Sequence, residues 1–505
     1  MRQFSEFIRS GALASNTFLV LGKGPSLDKY RGKPAPDWVT LALNDVVSEH
    51  ACDIAHIIDF DAALRCAGSI RRNARFLVMP FHPHFGHKAT RSSLAQLVTE
   101  HDFLRELDSE DRLLTYNLGT SRVHHEEWPV VAGGFFSGDI VVDLLASAGV
   151  RTIRTLGIDG GDSYSNQFAH LAGSTLLSNG QPTFDRQFRR IRQHIDGYGL
   201  DYARLDEQYP IRVFVGSTEA QLVPARVLEH SIRKHASRDV EVHPLYRLSR
   251  PHAQPSGRGN RPRTPFSFQR FQIPEICNYE GKAIYLDSDM QVFTDLNRLW
   301  TLPMGSDDLL TAGHAEDSDR RPHFSVMLLD CARLQWSVDA IVARLDRGEL
   351  DYNALMHRMV VATSIGSDVS EHWNSLERYT PGVTHLLHYT DMDTQPWTST
   401  ANPLGHLWTI ALFEAMDAGL LDIDTVNEHA SRGWLRPSLV HQVAMRIPDA
   451  SLLPQEVRRE DRSYRAPHQG MDIVRSARSD NPLGELRLKL ERLARRLRAF
   501  HNPRP

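Results

Sequence analysis

The chain has 505 residues, with 58 Lys and Arg against 62 Asp and Glu and a formal net charge of −4. So small a charge excludes a general nucleic-acid binder. Its apolar content, 41% of residues, is that of a soluble globular protein, and the length allows about three domains. Cys52, Cys66, Cys277 and Cys331 are scattered without C-x-x-C spacing, so neither a disulfide framework nor a zinc cluster is expected.

The chain opens Met1-Arg2-Gln3-Phe4 with no signal-peptide pattern, and no run of about 18 apolar residues follows, so a cytoplasmic location is expected. Residues 15–206 read as a Rossmann-like nucleotide-binding domain. The apolar run Thr17–Leu21 enters the turn Gly22-Lys23-Gly24-Pro25-Ser26-Leu27, a usual place for a phosphate or nucleotide. Strand-like runs recur at 38–43, 54–58, 75–79 and 152–158, and Ser137-Gly138-Asp139 opens a helical stretch to Ser147. Strands alternating with helical patterns imply a parallel sheet with helices on both faces. Asn44 and Asp159 stand at strand ends, and with Gly22, Gly24 and Ser26 they are the candidate nucleotide-binding residues. His82, His84 and His87 could bind a metal, although a loop histidine cluster fits the same spacing.

These short motifs resemble the family 42 sialyltransferases, which use CMP-sialic acid, and a group of pterin-pyrophosphokinase-like domains with the same core. The resemblance implies a general-base histidine after the G-I-D segment. Residues 178–185 contain none, and His170 comes too early, so sialyl transfer is not expected here. Nucleotide binding, or a degenerate module with a scaffolding role, remain as the two readings.

A second α/β unit is expected over 208–415. Ile211–Val215 reads as a strand, followed by Gly216-Ser217-Thr218 and a helix from Glu219 to His235. Arg247–Pro265 is rich in Arg, Pro and Gly and reads as a mobile loop near the diphosphate or, equally, as a plain solvated loop. The next strand, Ala283–Leu286, ends in Asp287-Ser288-Asp289. Side chains alternate along a strand, so both acids can point one way, and two carboxylates suit Mn²⁺ or Mg²⁺. Further motifs follow: Glu371-His372-Trp373-Asn374-Ser375-Leu376, then Leu386-Leu387-His388-Tyr389-Thr390, then Gln395-Pro396-Trp397.

This ordered set resembles the nucleotide-sugar glycosyltransferases of family 8, which have the GT-A fold. The resemblance implies a UDP-sugar donor, a glycan or lipid-linked acceptor, and retention at the anomeric carbon. It implies that Asp287, Asp289 and His388 hold the metal, flanked by Ser288, and that Ser217 and Thr218 meet the uridine. The family's diphosphate-binding Lys is missing; Asp391 and Gln395 occupy its stretch, so Arg270 or an arginine of 247–263 is the candidate cation, with Gln395 near phosphate or sugar. Asp351 and Asn353 are candidates for the donor sugar, against a plain helix N-terminus. A metal-dependent nucleotide-sugar hydrolase shares the same acid pattern.

Residues 416–505 read as a helical extension. Helix is expected at 422–448, punctuated by Pro437, and an irregular linker over 449–482. Leu483, Leu486, Leu490, Leu493, Leu497 and Phe500 then fall on one face of a basic helix. That helix suits an anionic membrane surface and, equally, packing as a short coiled coil or docked on the protein's own surface. The fold class expected is therefore α/β, with two Rossmann-like domains and a helical tail. A second transferase in the first domain is the alternative to a single one.

Overall fold

The computed structural model describes residues 1–13, 17–132, 134, 136–171, 183–206, 210–264, 266–312 and 324–470. The first half is built on strands β1 (Arg2–Gln3), β2 (Thr17–Leu21), β3 (Val39–Leu43), β4 (Cys52–His56), β5 (Ala74–Pro80), β6 (His84–Phe85), β7 (Lys88–Ala89), β8 (Leu113–Leu118), β9 (Val130–Val131), β10 (Thr152–Leu156) and β11 (Asp201–Arg204). Apart from the β6–β7 hairpin they form one sheet in the order β1-β8-β5-β4-β3-β2-β10-β11, with β9 beside β8. Every pairing in that sheet is parallel. The sheet begins at Arg2, ahead of the boundary expected at residue 15.

A parallel sheet buried on both faces needs apolar side chains at successive positions, which is why β2 reads Phe18-Leu19-Val20-Leu21. Phe18 and Val20 enter one core, together with Ile140, Leu144, Ile191 and Ile195 of the helices Ser137–Ser147 and Arg186–Tyr198. Leu19 and Leu21 enter the other, with Phe60, Ile70, Leu97 and Leu107. Chain order reverses between β2 and β10, and that switch point opens a crevice at the strands' C-terminal ends.

The second half carries β12 (Ile211–Gly216), β13 (Val240–Pro244), β14 (Lys282–Asp287), β15 (Met290–Val292), β16 (Leu309–Ala312), β17 (Val326–Asp330), β18 (Ile365–Val369), β19 (Ser375–Leu376) and β20 (Leu386–His388). Its main sheet runs β13-β12-β14-β17-β16-β18, and a small one runs β15-β20-β19. β14 lies parallel to β12 and antiparallel to β17. Alternation again separates two faces: Ala283 and Tyr285 join one core, whereas Ile284 and Leu286 join another. The latter is the same cluster that holds Phe18, Ile191 and Ile195, so the two large sheets share an apolar interior.

The extension beyond residue 404 is helical at Gly405–Asp417, Ile423–Ser431 and Ser438–Ala444, with Pro437 as the N-cap of the last. Trp408, Leu412, Val426 and Leu439 pack with Leu387 and Tyr389. The linker expected at 449–482 is in its first part ordered: Gln455–Glu460 is a helix, and Leu453 and Val457 are buried. Asp461 accepts from the backbone N–H and hydroxyl of Ser438, which ties that stretch down. The basic helix expected at 483–500 lies outside the described residues.

The loop over 247–264 is also held rather than free. Ala253 and Ser256 donate from their backbone N–H groups to Asp339 and Asp346, and Asn260 bonds the carbonyl of Leu345 and the N–H of Tyr352.

Candidate active site

β14 ends at Asp287, the chain bends through Ser288 and Asp289, and β15 pairs antiparallel with β20, setting Met290 opposite His388. This register brings the late histidine to the acids. One ligand atom each from Asp287, Asp289 and His388 lies within 4.8 Å of the others.

Each of the three side chains is fixed from behind. Asp287 Oδ1 accepts from the Tyr285 hydroxyl at 2.5 Å, two residues back on the same strand face. Burial raises the pKa of Tyr285 well above the phenolic range, so it stays a donor. A Cβ at Gly216 would stand 2.3 Å from that hydroxyl, which is why the residue opposite Asp287 is glycine. The Asp289 Oδ2 atom accepts from Gln395 at 3.0 Å. The Nδ1 atom of His388 lies 2.9 Å from Asn374 Oδ1, a partner that holds the proton on Nδ1 and leaves Nε2 free for a cation. His388 is 4% exposed, and its Nε2 sits 3.1 Å from Asp289 Oδ1. Among the described residues Asp289 Oδ1 has no hydrogen-bond partner. Burial alone would lower the His388 pKa, but Asp289, Asp287 and Glu377 outweigh it and raise it. Two carboxylates and an imidazole, with one buried oxygen unpartnered, fit a divalent cation.

The remaining expected residues are placed unevenly. Arg270 is buried behind Asp287: it reaches that carboxylate at 3.5 Å, the Phe324 carbonyl at 2.8 Å and the Tyr285 ring at 4.4 Å. Gln395 supports a ligand rather than standing open to a phosphate. Ser217 is fully buried and donates to the Val215 carbonyl, so the uridine contact expected of its hydroxyl is not available. Thr218 caps the turn Glu219–Gln221. The side chain of Ser288 is also buried, its hydroxyl without a partner, and its N–H donates to Gly216. Asp351 is the N-cap of Tyr352–Arg358, accepting from Ala354, and Asn353 is exposed on that helix. Among the described residues, neither is hydrogen-bonded to the acid–histidine group. Asn374 and Tyr285 were not foreseen, although Asn374 lies inside the E-H-W-N-S-L motif and Tyr285 follows from strand alternation.

A second cleft, of about 600 Å³, opens at the switch point of the first sheet and is lined by Gly22, Lys23, Gly24, Asn44, Asp45 and Asp159, among others. Glycines shape its floor. Gly22 and Gly157 cross so closely that a Cβ on Gly22 would sit 2.3 Å from the Gly157 carbonyl oxygen. Ser26 and Asp159 lock the turn to β10: Ser26 N–H donates to Asp159 Oδ2, and Gly157 N–H donates to Ser26 Oγ, both at 2.7 Å. Asp159 Oδ1 is buried without a hydrogen-bond partner. Asn44 takes a left-handed φ of 49° and donates to Ser137 Oγ. Burial opposes ionisation of Asp45, but Lys23 and Arg65 hold its pKa down at about 2. The histidines of 82–87 do not gather as ligands; His82 bonds the Ser92 carbonyl and His87 pairs with Asp59. Among the described residues the acid–histidine group is the one set suited to a metal.

The family model described as glycosyl transferase family 8 matches residues 226–327, which contain both acids. The central segment is thus similar to the family 8 glycosyltransferases. A stretch of 98 residues is 34% identical to Protein CDI of Arabidopsis thaliana, spanning 19% of this chain and 38% of the plant protein. Solved structures similar to the chain include the glycosyltransferase GlyE of Streptococcus pneumoniae TIGR4, at 18% identity and a TM-score of 0.32, covering 45% of this chain and 65% of GlyE. The galactosyltransferase LgtC, solved with donor and acceptor sugar analogues, overlaps at 12% identity and a TM-score of 0.30, over 40% of this chain and 95% of its own. The bifunctional glycosyltransferase WbbM overlaps 78% of this chain and 97% of its own, at 9% identity and a TM-score of 0.28. The matched segment thus holds both acids, while His388 and Gln395 reach them from beyond it.

Proposed function

We propose that the protein transfers a hexose from a UDP-sugar to a glycan or lipid-linked acceptor, with retention, in bacterial surface polysaccharide synthesis. The observation that carries this reading is the convergence of Asp287, Asp289 and His388 at the end of a family 8 strand. These three would hold Mn²⁺ or Mg²⁺, and such an ion offsets the negative charge that develops on a leaving diphosphate without a proton transfer. The chain's own residues prepare that chemistry. Tyr285 and Arg270 orient Asp287, Gln395 orients Asp289, and Asn374 selects the imidazole tautomer. Thr218 and the backbone after β12 would meet the uridine, and Asp351 or Asn353 the donor sugar.

A thermal-shift panel tests this on the full chain, using UDP, UDP-sugars, GDP-mannose and CMP-sialic acid, each with and without Mn²⁺. Stabilisation by one UDP-sugar that requires Mn²⁺ is the expected result, since a ligand bound only by the native state raises stability by mass action. No response to any UDP ligand sinks the reading. Acceptor-dependent turnover then separates a transferase from a hydrolase.

The cleft of the first sheet favours a second reading, in which the chain is bifunctional and binds a second nucleotide there. A cytidine nucleotide adding a metal-independent shift in the same panel supports it. Silence from every nucleotide but one UDP-sugar leaves the first domain a scaffold. Among the described residues no helix is long and apolar enough to cross a membrane. A cytoplasmic enzyme held at an anionic membrane surface by 483–500 suits a lipid-linked acceptor. Deleting 483–500 is expected to abolish sedimentation with anionic vesicles, and unchanged sedimentation ends that part of the proposal.

A further inference from the structure

The helix Arg186–Tyr198 closes the first sheet, yet its most buried charge serves the second. Arg192 is 5% exposed and donates to the Pro303 carbonyl and to Asp368, both at 2.9 Å, with Asp307 at 3.5 Å. One helical turn earlier, Phe188 fills the space over Gly305, where a Cβ would sit 2.6 Å from the ring. The guanidinium therefore clamps two segments at once: the 303–307 turn and β18, which carries Asp368. Asp307 braces the clamp further by accepting from Ser364 Oγ at 2.8 Å, just ahead of β18.

β18 leads directly to the metal-binding group. It ends at Val369, Ser370 caps the turn Glu371–Asn374, and Asn374 Oδ1 meets His388 Nδ1. The same turn is stitched to β20 by the His385 N–H donating to the His372 carbonyl at 3.0 Å. We propose that Arg192 is a positioning residue for the acid–histidine group. By fixing β18 it fixes the Asn374 carbonyl that orients His388. The first domain thereby supplies part of the support of the second domain's chemistry. The proposal rests on the metal reading given above.

The test is Mn²⁺ titration of the full chain, followed by the electron paramagnetic resonance of free Mn²⁺, with a melting curve for each variant. Lysine keeps the charge but cannot span Pro303 and Asp368 together, so Arg192→Lys is expected to fold and to bind Mn²⁺ about tenfold more weakly. Asn374→Ala should weaken binding by a similar factor. The double variant should be no weaker than Asn374→Ala alone, because both changes disturb one support. A purely structural arginine would lower the melting temperature and leave Mn²⁺ affinity alone. Should Arg192→Lys fail to fold, Asp368→Asn takes its place with the same expectations. Wild-type affinity in the folded variant, or losses that add in the double variant, overturn the proposal while the metal reading stands. A folded wild-type chain that binds no Mn²⁺ overturns both.

Discussion

Asp289→Ala is expected to lower transfer roughly a thousandfold and to erase Mn²⁺-dependent stabilisation by the donor, while the fold survives. The magnitude follows from the several kcal/mol of charge stabilisation that a divalent ion supplies to a leaving diphosphate, each ~1.4 kcal/mol being a factor of ten. The survival of the fold follows from the site. Among the described residues, Asp289 Oδ1 has no hydrogen-bond partner and Oδ2 accepts from Gln395, whose amide also donates to the Tyr389 carbonyl. Truncation therefore removes a ligand and unpairs one N–H of the Gln395 amide, while the other keeps its Tyr389 partner, a small cost for the fold. Asp287→Ala should be as inactive but less stable, because it strands the buried Tyr285 hydroxyl and removes the carboxylate beside Arg270. Kinetics with saturating Mn²⁺, paired with melting curves, separates the two. Near-wild-type turnover in Asp289→Ala would remove the metal from the reaction.

Arg436→Ala should cost about 3–5 kcal/mol in chemical denaturation, the penalty for breaking a buried charged network from one side. Arg436 is 1% exposed. It donates to the Pro396 carbonyl at 3.0 Å, to Ser438 Oγ and to Gln442 Oε1, and Ser438 in turn bonds Asp461. Burial pulls its pKa down to about 10, against the pull of Asp461. Without the guanidinium, Asp461 loses its nearby positive charge, and the Pro396 carbonyl and the Gln442 amide oxygen lose a donor. Arg436→Met, which fills the space with apolar volume, should lose less. Pro396 follows Gln395, so the alanine variant should also weaken Mn²⁺ binding. A loss below about 1 kcal/mol, the scale of an exposed pair, would show the network to be idle.

Local chemistry made part of this site legible. An apolar strand ending in Asp287-Ser288-Asp289 places both acids by its own alternation, and glycines at 22 and 24 after an apolar strand mark the turn that lines the second cleft. The partners that act over distance left weaker marks. His388 could be joined to the acids only through the ordered set of motifs, since nothing in its own neighbourhood predicts that β20 pairs with β15. Gln395 read as a phosphate or sugar contact because its type allows it, and only the fold shows its amide spent on Asp289. Ser217 sits at the right turn but points inward, which a single turn residue cannot reveal. Asp351 followed the local rule instead and caps its helix. The ordering of 449–470 was hidden for another reason: its stability comes from Asp461 meeting Ser438, a contact between two polar stretches with no periodic signal.

The apolar cluster that runs from Phe18 through Ile191 to Leu286 and Trp300 has a consequence for how this protein can be cut and inherited. Two units that merely touch can be expressed apart, shuffled, or lost singly. Here a break between Arg204 and Ile211 would turn the same interior outward on both fragments, leaving each with a sticky face in water. Each half has a core of its own on its outer side, but the inner one is common to both, so the chain is expected to melt in one step and to tolerate exchange of its halves only when their shared lining is exchanged with them.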